Sequence, residues 1–329
     1  MADTLLETVD VVKSFAIRKG FLGRKQDLVA VDGVSLKINK GETLGLVGES
    51  GCGKSTLGLT IMRLYEPTSG QVLIEGEDVA ALDAADLRKA RGQMQMIFQD
   101  PFASLDPRLT VEDIIREPLD IHAIGTPAER TAEVKRLLRI TGMPLDSASR
   151  LPNEFSGGQQ QRIGIARALA LRPKLLICDE PVSSLDVSVQ AQILNLLRDL
   201  QKSFGLTYLF ISHNIAITAF MSRRIGVMYL GKLVEIGPSQ SILKKPMHPY
   251  TQALLKAIPQ PDPKNKRSKR MVVGEIPSPI DRPSGCPFHT RCPLVQDICR
   301  QVVPELRELA TEHEVACHFA EEAAALSAA

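Results

Sequence analysis

Short apolar runs alternate with segments of helical periodicity along roughly the first 240 residues. Several runs are continuously apolar, as expected for strands buried on both faces of a sheet. Strands are predicted at Leu28–Ile38, Glu42–Val47, Gln71–Glu75, Gln93–Phe98, Leu175–Cys178, Tyr208–Ile211 and Ile225–Tyr229. Helical patterns occur at Arg130–Thr141, Gln159–Ala170 and Val187–Phe204. This alternation is typical of an α/β fold built on a largely parallel sheet that is covered by helices.

Two segments depart from the alternation. The stretch from about Asp100 to Asn153 is rich in helical patterns and lies between two predicted core strands, so it is interpreted as a helical subdomain. Residues 260–270 are basic and contain proline. They are interpreted as a solvated linker, with a site for anionic lipid or another partner as the alternative.

Composition is that of an ordinary globular protein, with 44% hydrophobic and 24% charged residues among 329. The net charge of +2 gives no electrostatic argument for nucleic acid as a partner. No apolar run is long enough to span a bilayer, and the N-terminal sequence lacks the apolar stretch of a secretory signal. We therefore expect a cytoplasmic chain whose role at a membrane comes through a partner.

A phosphate-binding loop is predicted between the strand at Glu42–Val47 and a helical pattern at Thr56–Leu64. The nine residues match the pattern G-x-x-x-x-G-K-S/T, and they are Gly48, Glu49, Ser50, Gly51, Cys52, Gly53, Lys54, Ser55 and Thr56. The glycines allow backbone amides to converge on phosphate oxygens at a helix N-terminus. Lys54 is expected to reach the β- and γ-phosphates of ATP, and Ser55 to bind Mg²⁺.

Two adjacent carboxylates follow the apolar strand at Leu175–Cys178. Asp179 can hold Mg²⁺ through water, and Glu180 can act as a general base toward the water that attacks the γ-phosphate. The pair is a weak signal by itself. It gains weight because a phosphate loop precedes it in the same chain.

Four of the six cysteines cluster near the C-terminus, at Cys286, Cys292, Cys299 and Cys317. In a reducing cytosol such clustering favours metal or redox chemistry over disulfides. Four thiolates can bind one metal ion or an iron–sulfur cluster, although the spacing lacks the CxxC pairs of common zinc ribbons.

The octapeptide from Phe155 to Arg162, FSGGQQQR, resembles the signature motif of ATP-binding-cassette (ABC) ATPases, with Phe155 in place of the usual leucine. The resemblance implies that Ser156, Gly157, Gly158 and Gln159 contact ATP bound to a second subunit. It covers about residues 5–250.

Further motifs occur in the order of that family. The resemblance implies that Gln99 senses the γ-phosphate and Mg²⁺, and that Ser183–Asp186, SSLD, is the D-loop, with Asp186 among the residues that bind ATP. It implies that His213 contacts the γ-phosphate and that Phe15 stacks on adenine. The expected fold is a RecA-like ABC nucleotide-binding domain with an antiparallel β subdomain and a helical subdomain at about residues 100–165. ABC ATPases work as head-to-tail dimers that enclose ATP, so the same arrangement is expected here.

Three segments are similar to the ATPases of dipeptide/oligopeptide permeases, namely Met96–Arg108, Asp186–Gln192 and His248–Thr251. The resemblance implies an ABC domain at 1–240 and a C-terminal extension at 241–329. It also implies an importer with two transmembrane permease subunits, a sister or identical ATPase subunit, and an external solute-binding protein. Relatives of these ATPases import nickel, sugars or opines, so these cargoes are alternatives to peptides.

The same resemblance implies a [4Fe-4S] cluster at the four C-terminal cysteines. Zinc is an alternative because His289, His313 and His318 are spare ligands, and metal-free thiols are a third possibility. A soluble ABC ATPase that acts on DNA or ribosomes is the competing functional class, but such proteins usually carry two cassettes or a long coiled-coil insertion. An inactive regulatory cassette is disfavoured because the motif residues Lys54, Asp179, Glu180 and His213 are all present.

Overall fold

The computed structural model describes residues 3–18, 25–257 and 277–328. Its strands are β1 (Thr4–Arg18), β2 (Lys25–Asn39), β3 (Thr43–Val47), β4 (Ser69–Ile74), β5 (Glu77–Asp78), β6 (Met94–Ile97), β7 (Leu175–Asp179), β8 (Thr207–Ser212), β9 (Arg224–Tyr229), β10 (Lys232–Pro238), β11 (Arg307–Ala310) and β12 (His313–Val315). Its helices are α1 (Lys54–Ile61), α2 (Ala84–Gln93), α3 (Pro101–Ser104), α4 (Val111–Ile121), α5 (Pro127–Ile140), α6 (Gly157–Leu169), α7 (Val187–Phe204), α8 (Ile215–Met221), α9 (Ser239–Lys244), α10 (Pro249–Lys256), α11 (Asp297–Gln301) and α12 (Ala320–Ala328).

The chain divides into two compact units, which are described separately. The first contains residues 1–7, 37–43 and 73–211, and the second contains residues 8–36, 44–72 and 212–329. The linker predicted at residues 260–270 lies outside the described residues. The predicted domain boundary near residue 240 stays a prediction.

The first unit is built on the parallel strands β6, β7 and β8, with β7 in the middle. All five residues of β7 and all six of β8 are buried, which explains the apolar runs LLIC in β7 and YLFI in β8. Helices α4, α5 and α6 pack on one another and form the helix-rich region predicted after Asp100. Their apolar faces account for the packing, since Ile115, Leu138 and Ile163 are fully buried.

The second unit contains the sheet order β11-β12-β10-β9-β3. Strand β9 runs parallel to β3, whereas the pairs β9–β10, β10–β12 and β12–β11 are antiparallel. The antiparallel strands β10, β11 and β12 were not among the strands predicted from the sequence. The physical reason for the antiparallel pairing of β9 with β10 is the tight turn at Leu230 and Gly231, whose φ angles of 45° and 79° suit a two-residue hairpin between antiparallel strands.

Candidate nucleotide site

The phosphate loop runs from the end of β3 to the start of α1, as its sequence predicts. Val47, the last residue of β3, is buried, and α1 begins at Lys54. Gly53 precedes the helix with a φ of 104°, and a Cβ atom there would lie 2.1 Å from the carbonyl oxygen of Ala30. Residues with a side chain rarely adopt this backbone conformation, and their Cβ atom would clash with Ala30 here. The turn into the helix therefore requires glycine.

The ammonium group of Lys54 lies inside the loop. Its Nζ atom donates hydrogen bonds to the carbonyl oxygens of Gly48, at 2.8 Å, and Glu49, at 3.0 Å. Only 4% of the residue is exposed. The sulfur atom of Cys52 lies 3.7 Å from Nζ, and burial raises the pKa of its thiol. The loop therefore presents one concentrated positive charge, and Cys52 is a neutral neighbour of it.

The remaining loop residues differ in exposure. Ser50 and Gly51 are exposed at the tip, whereas Ser55 and Thr56 are half-buried in the first turn of α1. A helix N-terminus carries unpaired N–H groups and a partial positive charge. Ser55 thus lies in the first turn of this anion-binding end, and its predicted role in binding Mg²⁺ stays a prediction.

Two side chains that the sequence did not single out contact this loop. The hydroxyl of Tyr250 accepts a hydrogen bond from the backbone N–H of Glu49 at 2.8 Å. The guanidinium of Arg291 forms two hydrogen bonds with the Glu49 carboxylate. The one sequence signal for Arg291 was its position beside Cys292, and nothing in that position indicates a partner 242 residues away.

The predicted carboxylates lie at the end of β7, in the first unit. Asp179 is the buried last residue of the strand, with 6% exposed. Glu180 follows with a φ of 45°, and its N–H donates to the carbonyl oxygen of Ile211 at 2.9 Å. The carboxamide of Gln99 donates to the Glu180 carboxylate at 3.3 Å. A glutamate held in the left-handed region stores backbone strain, which is common at functional sites.

The signature motif forms the start of α6. The side-chain oxygen of Gln159 accepts hydrogen bonds from the N–H and hydroxyl groups of Ser156, at 3.0 and 3.2 Å. Gly158 is buried against α7, where an added Cβ would lie 2.4 Å from a methyl group of Val189. Ser156 and Gly157 are exposed. Exposed amides at a helix start can bind an anion brought by another subunit.

Asp186 is exposed and precedes the first residue of α7, so it occupies the N-cap position of that helix. His213 is also exposed and lies between the end of β8 and the start of α8. Phe15 lies in β1, where its ring meets that of Tyr65 edge-on at 5.2 Å. The ammonium of Lys13 lies 4.9 Å from the centre of the Phe15 ring. These contacts fix the position of the Phe15 ring, and its stacking on adenine stays a prediction.

The four C-terminal cysteines line one pocket, which also has His248, His289 and His318 on its walls. All four are free thiols. The N–H of Cys286 donates to the carbonyl oxygen of Cys299 at 2.8 Å, which brings the two segments together. Burial raises the pKa of Cys286 to about 11 and that of Cys317 to about 12. His313 lies apart from the pocket walls and pairs with Glu235 at 2.8 Å.

No group of three or more histidine, cysteine, aspartate or glutamate side chains is arranged to hold a metal ion, within residues 3–18, 25–257 and 277–328. The structure thus shows that the four cysteines line one pocket. A metal centre bound to them stays a prediction.

Comparison with known proteins decides the family. The family model described as ABC transporter matches residues 31–183, and the model for the C-terminal region of oligopeptide/dipeptide transporters matches residues 234–299. The oligopeptide transport ATP-binding protein AppF of Bacillus subtilis is 53% identical over 321 residues, which are 96% of this chain and 98% of that protein. The chain belongs to the ABC transporter ATPase family. A putative peptide import ATP-binding protein of Brucella ovis is 51% identical over 92% of this chain and 95% of its own length.

Solved ABC cassettes share the fold of this ABC ATPase. The cassette MJ0796, solved as a dimer in a post-hydrolysis state with ADP and phosphate, is 30% identical, with a TM-score of 0.64. The match covers 71% of this chain and 99% of that one. The cassette cbiO1 of Clostridium perfringens is 26% identical over 73% of this chain and 90% of its own, with a TM-score of 0.62.

These findings confirm the predicted family, the ABC fold and ATP hydrolysis as the activity of this ABC ATPase. Within the described ranges, no helix has both the length and the apolar character needed to cross a membrane.

Proposed function

We propose that this ABC ATPase is the motor subunit of an importer for di- or oligopeptides. The observation that carries the proposal is the match of residues 234–299 to the C-terminal region of oligopeptide/dipeptide transporters. The names of the relatives from Bacillus subtilis and Brucella ovis, which describe peptide transport or import, support it. The subunit works at the cytoplasmic face of the membrane, bound to two transmembrane permease subunits. A solute-binding protein on the other side delivers the cargo.

The working ATPase is a dimer with a sister or identical subunit. Each chain carries one phosphate loop and one signature motif, and the exposed Ser156 and Gly157 suit contact with ATP held by the other chain. The dimeric form in which MJ0796 was solved supports this arrangement. Closure on ATP and opening after hydrolysis give the two states that drive the permease.

Binding of ATP is assigned to the residues predicted from the sequence. The loop amides and Lys54 hold the β- and γ-phosphates, and Phe15 stacks on adenine. Ser55, Gln99 and Asp179 are the residues that would hold Mg²⁺, because each carries an oxygen atom and Mg²⁺ prefers oxygen ligands. Mg²⁺ bound there would offset the charge of the phosphates.

Hydrolysis is assigned to Glu180, with His213 contacting the γ-phosphate. Glu180 accepts a proton from water while the water oxygen bonds to the γ-phosphorus. The bond from that phosphorus to the bridging oxygen breaks, and ADP and phosphate leave. The contact of Gln99 with Glu180 supports this role, because it orients the carboxylate.

The cargo is tested by transport. The chain would be co-expressed with its membrane subunits, reconstituted into vesicles and supplied with binding protein and labelled dipeptide or oligopeptide. ATP-dependent uptake of peptide, absent in the Glu180→Gln variant, supports the proposal. Uptake of nickel, a sugar or an opine in place of peptide would overturn the peptide assignment while keeping the importer. Stable association with ribosomes or DNA, without membrane subunits, would overturn the importer itself.

We further propose that the pocket of Cys286, Cys292, Cys299 and Cys317 holds an iron–sulfur cluster. Four free thiols on one pocket are the donor set of a [4Fe-4S] cluster. A cluster held by these residues would cross-link four points of the extension.

Anaerobic purification with iron, sulfide and zinc analysis tests this assignment. About four irons per chain, lost when Cys292 is changed to serine, supports the cluster. The variant Cys178→Ala is the matched control, since it removes a thiol far along the sequence and should keep the iron. One zinc per chain, or no metal, would overturn the assignment.

A further inference from the structure

Glu49 is the second residue of the phosphate loop, and it is held by two residues of the C-terminal part of the chain. The two guanidinium nitrogens Nη1 and Nη2 of Arg291 lie 2.8 and 3.0 Å from the two oxygens of its carboxylate. The backbone N–H of Glu49 donates to Tyr250. The carboxylate and the backbone N–H of Glu49 are therefore both bonded to residues outside the loop.

The ion pair between Arg291 and Glu49 has the geometry of the stronger ion pairs in proteins. It is bidentate and charge-assisted, and the Arg291 side chain is only 7% exposed. The carboxylate raises the pKa of Arg291 above its ordinary value, so the guanidinium stays charged. The Glu49 side chain is 26% exposed, so the pair is buried on the arginine side, and loss of Glu49 would leave a buried guanidinium without its partner.

Arg291 is itself held rigidly. It ends a short turn between two pocket cysteines, in which the N–H of Arg291 donates to the carbonyl oxygen of Phe288 at 3.0 Å. Its guanidinium carbon lies 5.9 Å from the ring centre of Tyr229 and 6.0 Å from that of Phe288. Those rings pack edge-on with centres 5.3 Å apart. The guanidinium therefore has little freedom to leave Glu49.

The electrostatic consequence concerns the ligand of the loop. A phosphate loop attracts anions, and the carboxylate of Glu49 adds a negative charge to it. Lys54 bonds the carbonyl oxygens of Gly48 and Glu49, so the positions of Glu49 and of the loop's cation are linked. Without Arg291, an unpaired carboxylate next to the cradle would repel the phosphates of ATP.

We propose that Arg291 is a positioning residue for ATP binding, which neutralises Glu49 and holds the phosphate loop in the form that accepts phosphates. The proposal rests on the role of the loop proposed above. It makes the cysteine-bearing extension part of the nucleotide site's support.

The test is the affinity of the full-length chain for MgATP, measured by equilibrium titration. Arg291→Gln should weaken binding about tenfold, because one unpaired charge then faces a multiply charged ligand. Glu49→Gln in the same chain should restore most of the loss, since no carboxylate is left to repel ATP. The deficit of Arg291→Gln should shrink as salt is raised, because salt screens the repulsion. A residue that serves only folding would show neither rescue nor salt dependence.

Two controls separate the possible failures. Arg307→Gln breaks another arginine–glutamate pair of the extension, with Glu321, and should leave affinity unchanged. Lys54→Ala should weaken binding, and if it does not, the phosphate-loop assignment fails. If Lys54→Ala weakens binding but Arg291→Gln does not, or if the double variant binds no better than Arg291→Gln, the role of Arg291 is disproved. If Arg291→Gln folds poorly, Arg291→Lys replaces it in the test. Lysine keeps the positive charge but cannot form the two parallel hydrogen bonds of the guanidinium, so this variant should bind MgATP with intermediate affinity.

Discussion

The carboxamide of Gln99 donates a hydrogen bond to the carboxylate of Glu180 across 3.3 Å. The residues lie 81 positions apart and are brought together by the parallel pairing of β6 with β7. One member of the pair was predicted to sense the γ-phosphate and the other to activate water. The contact thus joins a predicted sensor to a predicted base.

Glu180→Gln should slow ATP hydrolysis at least about a hundredfold while ATP still binds, because the amide cannot accept the proton of the attacking water. Phosphate release in a single turnover measures the rate, and equilibrium titration measures binding. The substitution keeps the size of the side chain, so folding should be unaffected. A variant that turns over ATP at the normal rate would rule out Glu180 as the base.

Gly53→Ala should impair ATP binding and lower the free energy of unfolding by about 1–3 kcal/mol, because it adds a clash with Ala30 to a strained backbone angle. Gly51→Ala is the matched control: its φ of 78° is also positive, but a Cβ there has no heavy atom within 4 Å. Denaturant unfolding and MgATP titration compare the two. Equal effects would show that the clash has no part in the outcome.

Gly158→Ala should reduce ATP-dependent dimerisation, because the new methyl group would push the start of α6 away from Val189. Gly164→Ala, in the same helix with open space around its Cβ position, should instead stabilise the chain by up to about 1 kcal/mol. Size-exclusion chromatography with MgATP in the Glu180→Gln background measures the dimer. A normal dimer from Gly158→Ala would contradict the tight packing at this glycine.

Acid should destabilise the chain through His248. Burial lowers the pKa of this imidazole to about 4, while its ring nitrogen accepts a hydrogen bond from the N–H of Tyr250 at 3.0 Å. The unfolded chain binds the proton more readily, so this contribution is complete above a pH of about 6.5 and is lost as pH falls toward 4, for a total of about 3 kcal/mol.

Unfolding measured across that pH range checks the effect. His248→Asn keeps an acceptor at the start of α10 but does not titrate, so its stability should depend less on pH between about 6.5 and 4. Identical pH profiles for the two proteins would remove His248 as a cause.

Elements with strong local signals could be predicted from the sequence. Helix α7 matches its predicted range, since Asp186 precedes it, Gly205 ends it with a φ of 64°, and its apolar stripe has helical spacing. The phosphate loop was equally clear because its glycines and lysine form one short pattern. These features depend on residues that are close along the chain.

Other elements were missed for identifiable reasons. Helix α2 has no buried residue, so it shows no apolar stripe. Strand β10 contains the fully buried Glu235, a charge that would argue against a core strand. Its carboxylate is satisfied by His313, 78 residues later, and by the N–H groups of Met247 and His248. Compensation from so distant a partner leaves no local trace in sequence.

The ion pair between Arg291 and Glu49 has a consequence for biosynthesis. A ribosome makes the phosphate loop first, and Arg291 follows 242 residues later. At about 5–20 residues per second, the nascent loop would wait on the order of tens of seconds before its carboxylate is neutralised. A nascent chain would thus acquire full affinity for ATP only after Arg291 has been made and folded, which delays nucleotide capture until that part of the extension is in place.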